Sequence, residues 1–156
     1  MRWLKYYENS GEQLDHYVKV VKDQPYNYST HFLPHDGAHG NIRGLNVSTQ
    51  LVQMGLKNQV LPRESDINPG IDLMRQTIGF SCFDQKGCAD GLHALENYAY
   101  EWDEDRGIFK SKPMHNWASH GASAARYAAL AASQIKTILT PPQKSTYRPK
   151  RSGWMG

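Results

Sequence analysis

Cysteine is scarce: Cys82 and Cys88 are the only two in 156 residues, too few for a disulfide framework. Long apolar runs are missing as well. The longest is the alanine-rich stretch around Ala128–Ala132, far short of the roughly 20 residues a membrane-spanning helix requires. The opening Met1-Arg2-Trp3-Leu4-Lys5 lacks the apolar core of a signal peptide, so secretion is not expected. No Gly-x-x-x-x-Gly-Lys-Ser/Thr pattern occurs, which removes a phosphate-binding loop from this sequence. There is no internal repeat. A membrane protein, a disulfide-stapled secreted fold and a collagen-like chain are all excluded.

Acid is absent from residues 137–156, which carry Lys144, Arg148, Lys150 and Arg151 and therefore sum to +4. The whole chain is +3, so the first 136 residues sum to −1 (3 − 4). A near-neutral body gives no nucleic-acid footprint of its own. Only the tail is basic, and such a tail is expected to be a solvated, disordered end.

What remains is enough for one domain spanning residues 1–136, able to bury a core without staples. The aromatic stretch Trp3–Tyr7 reads as a strand ended by Asn9-Ser10-Gly11. Leu14, Tyr17, Val18 and Val21 recur at helical spacing over 12–23. Thr30–Leu33 reads as a short strand stopped by Pro34, followed by a polar loop over 35–46. A helix capped by Ser48 is expected to run to Gly55, and Asn58–Leu61 reads as a third strand before Pro62. This alternation is the signature of an α/β sheet with parallel crossovers. Helices follow over 68–80 and 88–101, then a turn over 103–107, a strand fragment at Ile108-Phe109 and an alanine-rich helix over 118–135. Three readable strands are few for an open sheet. They are expected to be part of a sheet completed elsewhere.

Two segments carry candidate chemistry. Phe32-Leu33-Pro34-His35-Asp36-Gly37 puts a carboxylate just past the carboxyl end of a strand, where α/β sheets form their ligand crevice. Asp36 there is either a hard-oxygen ligand for Mg²⁺ or Mn²⁺ or the anchor of a local Asx-turn. The second segment runs from His115 to Tyr127, with Ser119 at a helix start and Ser123 one turn on, on the same face.

Tyr6-Tyr7-Glu8-Asn9-Ser10-Gly11-Glu12, Leu33-Pro34-His35-Asp36, the helix from Gly70-Ile71 to Arg75, and Ser119-His120-Gly121-Ala122-Ser123-Ala124-Ala125-Arg126-Tyr127 occur in that order. Together, over roughly residues 3–130, they resemble the C-terminal nuclease domain of tailed-bacteriophage terminase large subunits. The resemblance implies a ribonuclease H-like mixed sheet flanked by helices, here incomplete because its first strands fall upstream. It implies Mg²⁺- or Mn²⁺-dependent endonucleolytic cleavage of double-stranded viral DNA during genome packaging. It also implies partners among other terminase or portal subunits, no membrane, and a location in the cytoplasm of a bacterial host of a phage or prophage.

Carried over residue by residue, Asp36 falls on a metal-binding acid of the family. The acid that follows Ser-His-Gly-Ala falls on Ser123, so that catalytic position is replaced. A further acid belongs to the upstream opening strand, and the ATPase domain is not in this sequence. His35 and His120 are candidates to assist at Asp36. Two-metal hydrolysis needs cations roughly 3.5–4 Å apart and several carboxylates to hold them. The expectation is therefore a terminase fragment, impaired or inactive as an isolated nuclease. The alternative is a non-enzymatic packaging-complex subunit or interaction module with the same fold.

His31, His35 and His39 have the four-residue spacing of zinc ligands on a helix, but Pro34 and Gly37 argue against a helix there. Cys82 and Cys88 are expected to be buried apolar residues. Arg126 either meets phosphate or pairs with an acid at the helix surface, the commoner case. Trp102 is expected at a helix end beside a solvated turn, and Tyr98 and Trp117 in the core. Tyr147 and Trp154 in the tail are candidates for stacking on bases or docking on a partner.

Overall fold

The computed structural model describes residues 1–40 and 45–139. Among these residues five helices and six short strands follow one another: β1 (Arg2–Trp3), α1 (Leu14–Lys22), β2 (His31–Leu33), α2 (Val47–Gln53), β3 (Asn58–Val60), α3 (Asn68–Gly79), β4 (Cys82–Phe83), α4 (Ala89–Glu96), β5 (Tyr100–Asp103), β6 (Ile108–Pro113) and α5 (Ala118–Leu139). The strands pair two by two. β1 lies parallel to β4, β2 parallel to β3, and β5–β6 is an antiparallel hairpin. The chain is thus a mixed α/β protein. No described helix is long and apolar enough to cross a membrane.

The β2–α2–β3 unit is the crossover that the sequence pattern predicts. Its helix is capped differently. Asn46, not Ser48, supplies the cap, its side chain accepting from the Thr49 N–H at 2.7 Å. The Ser48 hydroxyl instead donates to Asn58 Oδ1 at 2.6 Å, tying α2 to β3. Gly55, at φ +83°, ends the helix in the left-handed conformation that glycine tolerates best. The expected polar loop opens with a short 3₁₀ turn over His35–Ala38.

The opening strand is shorter than predicted. After Trp3, which stacks on Phe83 with ring centroids 5.3 Å apart, the chain leaves the ladder. The Tyr6 N–H donates to the Gly87 carbonyl at 2.8 Å. The Tyr6 side chain lies where Gly91 of α4 and Gly121 of α5 leave room: a Cβ at Gly91 would come within 2.7 Å of its Cγ. Packing of the Tyr6 side chain between two helices, with its backbone bond to Gly87, therefore anchors this stretch in place of strand pairing.

The second half of the chain departs from its sequence pattern at three places. The predicted helix over 88–101 stops at Glu96, where the Asn97 side chain donates to the His93 carbonyl at 2.8 Å. The chain then enters β5, so Trp102 is a strand residue whose ring meets Phe109 edge-on at 4.9 Å. Trp117 is not in the core; it is exposed and stacked on His93 at 5.0 Å. Tyr98 does pack on the core.

Two apolar clusters hold the elements. In the larger, Ile71 and Met74 of α3 meet Ala125 and Ala129 of α5, with Trp3, Leu95 and Tyr100 against them. The buried α5 residues Ala118, Ala122, Ala125 and Ala129 recur at steps of four, three and four, so one face of small side chains points inward. The smaller cluster joins Val18 of α1 to Leu51 and Leu56 around α2. The helix α5 continues through Leu139; the rest of the basic tail, with Tyr147 and Trp154, lies outside the described residues.

Candidate functional site

With its alanine face turned to the core, α5 presents His120, Ser123 and Tyr127, at steps of three and four, to a cleft of about 1030 Å³. Asp36, from a different element, lines the same cleft. It is carried there by β2, which delivers the chain to Pro34 and the 3₁₀ turn at the carboxyl end of the strand. Lys5, Tyr28, Thr30, His31 and Arg126 complete the polar part of the wall. The fold thus brings three of the four residues singled out from the sequence, Asp36, His120 and Ser123, onto one cavity.

The fourth, His35, is tied to that wall from behind. Its Nδ1 lies 3.3 Å from the Tyr127 hydroxyl, a link across 92 residues of sequence that fixes the Asp36 turn against α5. The His35 ring also meets His39 edge-on at 5.9 Å. Asp36 itself is exposed, and no described residue donates a hydrogen bond to its carboxylate. His120 sits at the rim, its ring 5.9 Å from that of His115.

His115 looks like half of a nucleophile–base couple with Ser119, since its Nδ1 is 3.0 Å from the serine hydroxyl. That hydroxyl is already committed, donating to the Asn116 carbonyl at 2.6 Å. The imidazole N–H must then donate to Ser119, which is buried. This arrangement braces the start of α5 and leaves the Ser119 hydroxyl without a base to take its proton.

Arg126 pairs with an acid, as the commoner reading expects, but in the interior and not at the helix surface. Its guanidinium forms an ion pair with Glu64, and the two side chains are only 9% and 20% exposed. Gly70 at the start of α3 roofs the pair: a Cβ there would stand 2.6 Å from Glu64 Oε1 and 3.0 Å from Arg126 Cδ. Nothing in the sequence singles out Glu64, because it lies in an irregular segment after Pro62.

The donor set limits what metal the cleft can hold. Asp36 is the only carboxylate among the described lining residues. No group of three or more His, Cys, Asp or Glu side chains converges anywhere among the described residues. Neither the His31/His35/His39 set nor the cysteines form one; Cys82 is exposed and only Cys88 is buried. A pair of Mg²⁺ ions does not fit this donor set. A single ion on Asp36 would depend on water and substrate phosphates for its remaining ligands.

Compared with protein-family models, with curated proteins and with solved structures, the chain matches none.

Proposed function

We propose that this chain is a terminase-type nuclease domain with a depleted metal centre. Its cleft takes the phosphodiester backbone of DNA, and Asp36 holds one divalent cation, Mg²⁺ or Mn²⁺, too loosely for efficient cutting. The observation that carries the reading is the meeting of Asp36, His120 and Ser123 on one cleft, from two segments chosen by their motifs. A ribonuclease H-like arrangement is the finer fold that this reading assumes. In that arrangement Ser123 stands where a second carboxylate would neutralise the cation's charge. The cation would supply Lewis-acid stabilisation of the phosphate, while His120 and Tyr127 orient it.

The sparse carboxylates favour one competing reading, a non-enzymatic subunit of a packaging complex. Thermal melts with and without millimolar Mn²⁺ separate the two. A ligand that binds only the folded chain raises the midpoint. The proposal expects a small rise in the parent, none in Asp36→Ala, and a larger rise in Ser123→Asp, together with Mn²⁺-dependent nicking of plasmid DNA. No shift in either the parent or Ser123→Asp would leave the non-enzymatic reading standing.

A further inference from the structure

A ridge of aromatic side chains runs from the cleft onto the neighbouring surface. Tyr26 and Tyr28 meet edge to face with centroids 6.2 Å apart, and Tyr28 and His31 lie 5.1 Å apart at 41°. Large rings cost free energy in water, yet Tyr26 and Tyr28 are 37% and 47% exposed. Tyr28 and His31 line the cleft and also a second depression of about 380 Å³ beside it, so the two cavities share a wall.

The charge along this path has one dominant sign. Lys22 and Lys57 line the second depression and Lys5 lines the cleft, whereas Asp36 is the single carboxylate in the two linings. Lys22 donates to the Met54 carbonyl at 2.8 Å and Lys5 to Gln24 Oε1 at 3.0 Å. Both acceptors are neutral, so neither charge is cancelled. Among the described residues none of the three lysines is in an ion pair.

We propose that Tyr26, Tyr28 and His31 form a stacking track for single-stranded nucleic acid leading into the Asp36 cleft, with Lys5, Lys22 and Lys57 meeting its phosphates. Two exposed tyrosines, backed by the half-buried His31 and set beside unpaired cations, suit a strand whose bases are free, because every base has a π-face and sequence does not matter. A duplex keeps those faces inside its own stack and gains only the lysine contacts. The inference rests on the proposed function in one respect, that the cleft's ligand is a phosphodiester.

The test is fluorescence anisotropy with a labelled oligothymidylate and a duplex of equal length, in chelator, so that neither metal nor cleavage contributes. The single strand is expected to bind more tightly than the duplex. Tyr28→Ala should weaken it by about ten-fold, and Tyr28→Phe, which keeps the ring, should not. Lys57→Gln should flatten the plot of log affinity against log salt by about 0.7, while Tyr28→Ala leaves that slope unchanged. Unaltered thermal melts of these exposed-site variants exclude misfolding. Equal or tighter binding of the duplex, or Tyr26→Ala and Tyr28→Ala variants that bind as the parent does, would overturn the track. If that happens while Mn²⁺ still shifts the parent melt through Asp36, the site reading survives alone. Single-strand binding with no Mn²⁺ shift leaves the track and removes the metal site.

Discussion

Arg126 on α5 and Glu64 in the segment before α3 form an ion pair inside the protein, covered by Gly70. The pair joins the helix that carries Ser123 to the segment leading into the helix that supplies Ile71 and Met74 to the core. The Arg126 Nε has no hydrogen-bond partner among the described residues, so the pair is incompletely compensated.

Removing one partner strands the other. Arg126→Ala is expected to destabilise the chain by about 3 kcal/mol, read as a lower urea midpoint. The double variant Arg126→Met/Glu64→Leu should recover most of that loss, because apolar side chains of similar size need no partner. A double variant as unstable as Arg126→Ala would show that the pair itself is required.

The Tyr6 seat gives a second expectation. Alanine is better than glycine in a helix interior by up to about 1 kcal/mol. At Gly91, however, the added Cβ would meet the Tyr6 ring at its Cγ and Cβ, 2.7 and 3.0 Å away. Overpacking of this kind costs about 1–3 kcal/mol, so Gly91→Ala should lower the melting midpoint. Combining it with Tyr6→Ala should remove the ring clash and leave only the 3.0 Å contact to Cβ, so Gly91→Ala should cost less in that background.

Acid should weaken the fold through His31. Burial holds its imidazole below the ordinary value of 6.5. As pH falls, the unfolded chain therefore takes up this proton before the folded one does. Stability is complete above the ordinary value and is lost as pH falls through it toward the folded value. His31→Gln should shrink the difference between midpoints measured at about pH 7.5 and about pH 5.5. An unchanged difference would show that His31 does not set it.

The two thiols should respond differently to alkylation. Cys82 is exposed on β4, whereas Cys88 is buried and burial pushes its pKa up. Its Sγ lies 3.5 Å from the Trp3 carbonyl. Iodoacetamide near neutral pH should label one thiol in the native chain and both in urea, by intact mass. Rapid native labelling of both would show that β1 does not stay docked.

The β2–α2–β3 unit was legible because Pro34, Gly55 and Pro62 punctuate it and its apolar residues keep the right period. β4 was not, since two residues between Phe80 and Asp84 are too few to show any period. β5 carries Glu101 and Asp103, which mask its strand character; the pairing of Trp102 with Phe109 sustains it. Cap competition between Asn46 and Ser48 is decided by Asn58, a residue on another element. Asp36 and Ser123 came from motif segments, and their shared cleft is a product of the β2 and α5 packing. Tyr28 gave no signal because it lies in an irregular segment without periodicity, and His31, read as a strand residue and as one of three spaced histidines, carried no hint that its ring would meet Tyr28. Glu64 gave none because a buried ion pair between an irregular segment and a helix leaves no local pattern.

The parallel register between Arg2 and Cys82 sets an order of events as the protein is made. The β5–β6 hairpin closes over a few residues, whereas β1 waits for about 80 residues to be synthesised before its partner exists. Closing so long a loop is entropically costly, and folds built on distant pairings assemble slowly. Until then Trp3 has neither Phe83 to stack on nor the α3–α5 cluster to pack against. The core that seats α5, and with it the cleft, is completed only when β1 meets the middle of the chain.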